Sequence, residues 1–145
     1  MAYKVGMVSL GCAKNQVDGE VLMASLKNAG FEPVDDAALA DIAIVNTCGF
    51  IESAKREVTG CLSERYQKEM HQELPEVDAV IGIGANGDIA PLLQKMVEED
   101  TYVESFPEKE KMPLCGDRVL TTPSYFAYVK IAEGWDNRCS YCAIP

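Results

Sequence analysis

Only one histidine is present, His71, and it lies in a charged stretch. That argues against a catalytic triad built on imidazole and against a histidine-rich metal site. No apolar run approaches the roughly 20 residues that a helix needs to cross a bilayer, so no membrane partner is expected. Met1-Ala2-Tyr3-Lys4 leads straight into an apolar strand pattern, without the basic and apolar regions of a signal peptide. The expected compartment is therefore the cytoplasm, where thiols stay reduced. Basic residues are scarce as well: 13 Lys and Arg stand against 23 Asp and Glu, a formal charge of −10. Such a balance repels phosphate backbones and argues against direct nucleic-acid binding. The clearest acidic stretch, Glu98-Glu99-Asp100 with Glu104 and Glu108 beyond it, reads as solvated surface.

What the chain does have is apolar content and cysteine. With 145 residues and 48% apolar composition it can bury a core without disulfides. Six cysteines in a reducing compartment point to metal binding or catalysis rather than cross-links. Three of them stand where a short extended run breaks into a turn: Ser9-Leu10-Gly11-Cys12, Val45-Asn46-Thr47-Cys48 and Val58-Thr59-Gly60-Cys61. Parallel strands in an open α/β sheet bring their carboxyl ends to one edge, so thiols after separate strands can converge there. Three convergent thiolates suit either an iron-sulfur cluster or a zinc ion.

The periodicity supports that sheet. Lys4 to Leu10 reads as a buried strand, and Gln16 to Ala29 carries Val17, Val21, Leu22 and Leu26 at helical spacing before Gly30 stops it. Asp41 to Asn46 repeats the strand, with a helix expected from about Ile51, and Asp78 to Ile83 followed by Asp88 to Glu98 repeats the unit again. The expectation is an α/β fold: a small doubly wound parallel sheet with flanking helices over residues 1–101. Residues 102–124, with Pro107, Pro113 and Pro123, read as a linker carrying short strands. Ala127 to Ala132 then reads as a fresh strand, followed by the cysteine-bearing loop Gly134 to Pro145. A lone strand and loop make no domain, so the chain is expected to stop just inside a second one.

Other motifs have plainer readings. Asn15, Asp18 and Glu20 follow Cys12 at the expected helix start, where side-chain oxygens cap free amides and carboxylates favour the positive dipole end. Gly82-Ile83-Gly84-Ala85-Asn86-Gly87 formally matches a dinucleotide fingerprint. It falls in a later βα unit with no acidic residue clearly placed for a ribose. Cys139-Ser140-Tyr141-Cys142 fits half a zinc knuckle, a redox pair or a cluster motif. Cys115 has no partner at diagnostic spacing. A zinc-stabilised or dithiol interaction module built on Cys139 and Cys142 with Cys115 and one further thiol is thus one alternative.

Four segments together carry a resemblance. SLGCAKNQVD from Ser9, NTCGFI from Asn46, VTGCLSERY from Val58 and the terminal EGWDNRCSYCAIP resemble the radical S-adenosylmethionine methylthiotransferases, most closely the RimO type. The resemblance implies a transferase that adds a methylthio group to the β-carbon of an aspartate in a small-subunit ribosomal protein, with an electron donor as a further partner. The tRNA-modifying relative is the alternative within the same class. It implies that Cys12, Cys48 and Cys61 hold one 4Fe-4S cluster with an iron left open for a sulfur species. A second 4Fe-4S cluster in a partial TIM-like radical domain would chelate S-adenosyl-L-methionine for reductive cleavage to a deoxyadenosyl radical. Residues 1–101 would then be the amino-terminal methylthiotransferase domain, and 125–145 the truncated start of the radical domain.

Two departures limit what this chain can do. Where the family pattern has the first cysteine of the radical triad, this sequence has Trp135, leaving Cys139 and Cys142; an indole does not replace a thiolate on iron. The barrel and the carboxy-terminal substrate-binding domain are absent too, so the fragment is expected to be inactive alone. The second departure is the short span of twelve residues between Cys48 and Cys61. A parallel crossover with its helix needs roughly ten to twelve, so a stretch is expected to be missing near Arg56 and Glu57.

Overall fold

The computed structural model describes residues 2–47, 58–60, 75, 77–107 and 116–131. Six strands form one sheet in the order β2-β1-β3-β4-β5-β6, and every neighbouring pair is parallel. They are β1 (Lys4–Leu10), β2 (Glu32–Val34), β3 (Ile42–Thr47), β4 (Val58–Gly60), β5 (Ala79–Ile81) and β6 (Val103–Ser105). The α/β class and the small parallel sheet are therefore as the apolar runs indicate. The segment DAVIGI contributes only Ala79–Ile81 to the sheet. From Ile83 the chain turns into a 3-10 helix that runs to Asp88.

Helix α1 (Ala13–Asn28) starts three residues before the expected Gln16. Its end is set by Gly30, whose φ of 95° lies in the left-handed region. The Gly30 amide donates to Lys27 O at 3.1 Å and the Phe31 amide to Leu26 O at 3.1 Å, which satisfies carbonyls the helix leaves open. No heavy atom would lie within 4 Å of a Cβ at Gly30, so the cost of Gly30→Ala is conformational. A loss of about 1 kcal/mol is expected in chemical denaturation. Helix α2 (Ile89–Glu99) buries Ile89, Ala90, Leu93 and Met96, one apolar stripe at helical spacing. The core joins Leu22, Met23 and Leu26 of α1, the α2 stripe, and Val5, Ile42, Ile44, Ala79, Ile81 and Val103 from the sheet.

The edges of the sheet were harder to read. β2 contains Pro33, which cannot donate to a ladder and is tolerated because β2 is an edge strand. β6 is one of the short strands expected after Tyr102, and it closes the opposite edge by pairing Ala79 with Val103 and Ile81 with Ser105. The strand expected at Ala127–Ala132 is not formed over 127–131, which carry no ladder pairing. An apolar run becomes a strand only where a neighbour accepts its amides. Here Val129 and Ile131 are instead 79% and 89% exposed. The helix expected from about Ile51 lies outside the described residues, as do His71 and residue 132.

Candidate functional site

The carboxyl ends of three adjacent strands finish on one line. Leu10, the last residue of β1, pairs with Thr47, the last of β3, and Thr47 pairs with Gly60, the last of β4. Neighbouring strands lie about 4.8 Å apart, so these three chain positions fall within roughly 10 Å of one another. Cys48 follows Thr47 and Cys61 follows Gly60 directly in sequence, and Cys12 follows Leu10 after one glycine. The line also includes the topological switch point. The chain leaves β1 toward β2 on one side and continues from β3 to β6 on the other, the place where open α/β sheets bind ligands.

Cys12 is an exposed, free thiol. It is the N-cap of α1 with extended backbone (φ −85°, ψ 177°) and makes no side-chain capping bond. Its carbonyl accepts from the Gln16 amide at 3.0 Å, which ties the turn to the first helical residues. Gly11 is required by close approach, because a Cβ there would overlap the side-chain amide of Asn15. Cys12 is the one cysteine within the described residues; Cys48, Cys61, Cys115, Cys139 and Cys142 lie outside them, as does Trp135. Among the described residues no group of three or more His, Cys, Asp and Glu is placed to hold a metal.

Behind Cys12 sits a buried pair of amides. Asn15 Nδ2 donates to Asn46 Oδ1 at 2.8 Å, and Asn46 Nδ2 donates to the Asn15 carbonyl at 2.8 Å. Each residue is 3% exposed. This contact joins the first turn of α1 to β3 two residues before Cys48. Asn46 was legible only as part of an Asn-Thr-Cys run; nothing local marks it as the partner of a residue 31 positions away.

The capping roles expected for Asp18 and Glu20 are overturned. The first turn of α1 carries no acidic residue, and both carboxylates lie further along, buried under the chain at 116–131. Glu20 is 1% exposed; the Arg118 guanidinium donates to its Oε2 through both Nε and an Nη atom. Its Oε1 accepts from the Thr121 amide and the Thr121 hydroxyl, each at 2.9 Å. Burial alone would raise this carboxyl, but the Arg118 guanidinium and the two Thr121 donors outweigh it and hold the group below the ordinary carboxylate value. Asp18 Oδ1 pairs with Lys130 Nζ at 2.5 Å in an equally buried contact. Arg118 also donates to Tyr128 O at 2.8 Å, and the Val119 amide donates to Glu20 O at 3.1 Å. The segment that leads toward Cys139 and Cys142 is thus strapped along the same helix that Cys12 begins.

Among the described residues no helix is long and apolar enough to cross a membrane. In the sequence comparisons, a family profile described as "Uncharacterized protein family UPF0004" matches residues 4–59, which span β1 to the middle of β4. A protein of Thermoanaerobacter sp. (strain X514), "Ribosomal protein uS12 methylthiotransferase RimO", is 47% identical over 97% of this chain and 37% of its own length. The protein of the same name from Caldicellulosiruptor saccharolyticus is 42% identical, over 98% of this chain and 37% of its own length. That from Acetivibrio thermocellus is 41% identical over a stretch of 172 residues, covering 100% of this chain and 38% of the relative. A match of 172 residues against a chain of 145 leaves at least 27 positions opposite no residue here, a deficit in the same sense as the short span between Cys48 and Cys61. The chain thus matches methylthiotransferases of the RimO type along nearly its whole length, and it spans 37–38% of the length of these relatives.

Proposed function

We propose that this chain is the sulfur-delivering part of a methylthiotransferase, in which Cys12, Cys48 and Cys61 hold one 4Fe-4S cluster at the carboxyl edge of the sheet. The intact enzyme would add a methylthio group to an aspartate of a small-subunit ribosomal protein; the names of the relatives give ribosomal protein uS12 as what they modify. The observation that carries the reading is the register: Leu10, Thr47 and Gly60 are aligned across β1, β3 and β4, and a cysteine follows each within two residues. The donor set fits, since three thiols and no histidine suit iron-sulfur ligation. When bound, such a cluster supplies an iron open to a sulfur species. The chain's own part is to present the thiolates from strand ends that the ladder holds rigid. Gly11 keeps the first turn tight, and the exposed Cys12 leaves the edge accessible to a second reactant.

The donor set does not fit at the other end of the chain. Cys139 and Cys142 are accompanied by Trp135, so two thiolates remain for a cluster that would chelate S-adenosyl-L-methionine, and no step is derived through it. The test is anaerobic reconstitution of the 145-residue chain with ferrous iron and sulfide. About four irons per chain with a brown chromophore are expected, and Cys12→Ala, Cys48→Ala or Cys61→Ala should each abolish most of the iron. Colourless wild-type protein, or one zinc per chain in its place, refutes the proposal.

A further inference from the structure

The Asn15–Asn46 pair is costly for what it contributes to folding. Two carboxamides with 3% exposure each are removed from water for hydrogen bonds that are worth about 1 kcal/mol net apiece. An apolar pair of the same shape would serve the core about as well. Space is made for the pair on both sides. A Cβ at Gly11 would overlap the Asn15 amide, and a Cβ at Gly19 would lie 2.9 Å from Asn46 Nδ2 and 2.9 Å from the Met7 methyl carbon. Two glycines, one of them inside a helix where glycine costs about 1 kcal/mol, accommodate one polar contact.

The placement says what that contact does. Asn46 stands in a single register row, with Ser9 on β1 and Thr59 on β4. The cysteines follow that row after three residues on β1 and after two on β3 and on β4. β1 and β3 are already joined by the ladder, but Cys12 lies past the last ladder pair, on the turn into α1. The ladder therefore does not set its position; the start of α1 does. Asn15, three residues after Cys12, fixes that start on β3 through two hydrogen bonds in opposite directions. A reciprocal pair restricts rotation as well as distance, which one bond does not.

We infer that Asn15 and Asn46 are positioning residues that set Cys12 relative to Cys48, and so decide how tightly the thiolate site holds its iron. The inference rests on the cluster reading above. Partners that orient metal ligands without touching the metal typically change affinity by about 10-fold to 100-fold when removed.

The experiment uses anaerobically reconstituted wild-type chain, Asn46→Ala and Asn15→Ala, with melting followed on the iron-free forms. Two readouts are taken on the loaded forms: the rate of iron loss to excess EDTA, and the electron paramagnetic resonance spectrum after dithionite reduction. Both variants are expected to take up iron, to lose it at least about tenfold faster than wild type, and to show a shifted spectrum. Either variant suffices if the other does not fold, because each removes the same amide-to-amide bond. A lowered melting temperature with unchanged release rate and spectrum would make the pair a structural contact and overturn the inference alone. Wild-type chain that takes up no iron overturns the cluster reading together with it.

Discussion

Arg118→Ala is expected to destabilise the chain by about 3–5 kcal/mol, the range for removing one partner of a buried ion pair. The reason is what stays behind. Glu20 is 1% exposed and, among the described residues, would keep only Thr121 as a donor, so a carboxylate out of water loses its compensating charge. Glu20→Gln with Arg118→Met should cost much less than Arg118→Ala alone, because neither residue then leaves a buried charge. Urea unfolding of the three proteins gives the comparison, and equal losses in the single and double variants would contradict it.

The same contact predicts a pH dependence. In the folded chain the Glu20 carboxyl lies below its ordinary value, so the folded state binds the proton less readily than the unfolded chain does. The stabilisation is fully present above the unfolded carboxylate pKa and is lost as the pH falls through the folded one. Acid should therefore loosen the 116–131 strap in the wild type. In Glu20→Gln this part of the acid sensitivity disappears. Hydrogen exchange at the Val119 and Thr121 amides, whose acceptors are both on Glu20, measures it directly.

Gly6→Ala is expected to cost about 3 kcal/mol, the upper part of the range for overpacking. A Cβ at Gly6 would lie 2.5 Å from the Ala37 Cα, 3.0 Å from its Cβ and 3.1 Å from its amide nitrogen. Backbone, not the end of a flexible side chain, stands in the way. β1 cannot retreat, since it is paired with β2 on one side and β3 on the other. Gly116→Ala is the control: nothing lies within 4 Å of a Cβ there, and a change within about 0.5 kcal/mol is expected for a surface site. Thermal melting of the two variants tests the contrast, and a neutral Gly6→Ala would show that the 3-10 turn at Ala37–Leu39 can move away from the sheet.

Some elements were legible because their signals are local. Lys4–Leu10 is an apolar run ended by Gly11, and the stripe Ile89, Leu93, Met96 repeats at helical spacing; the run is a strand as expected, but only Val5 and Gly6 of it are buried and Val8 is 40% exposed. α1 was harder. Its buried residues include Asn15, Asp18 and Glu20 as well as Val17, Leu22 and Leu26, because the core takes one side and the 116–131 strap another. A helix covered on several sides loses the clean apolar stripe, and its buried acids then look like caps. Three-residue strands at the sheet edges, β2 and β6, carry too few residues for alternation to show.

The sequence by itself determined the α/β class, the placing of Cys12, Cys48 and Cys61 directly after strand-like runs, and the family resemblance, since each depends on neighbours along the chain. Tertiary structure alone decided the strand order, the alignment of Leu10, Thr47 and Gly60, the Asn15–Asn46 pair and the burial of Glu20 against Arg118. The partners in these last contacts are 31 and 98 residues apart. A polar side chain reads the same whether it faces water or a partner from a distant strand; only packing the sheet, helix and strap together removes the water and makes the difference.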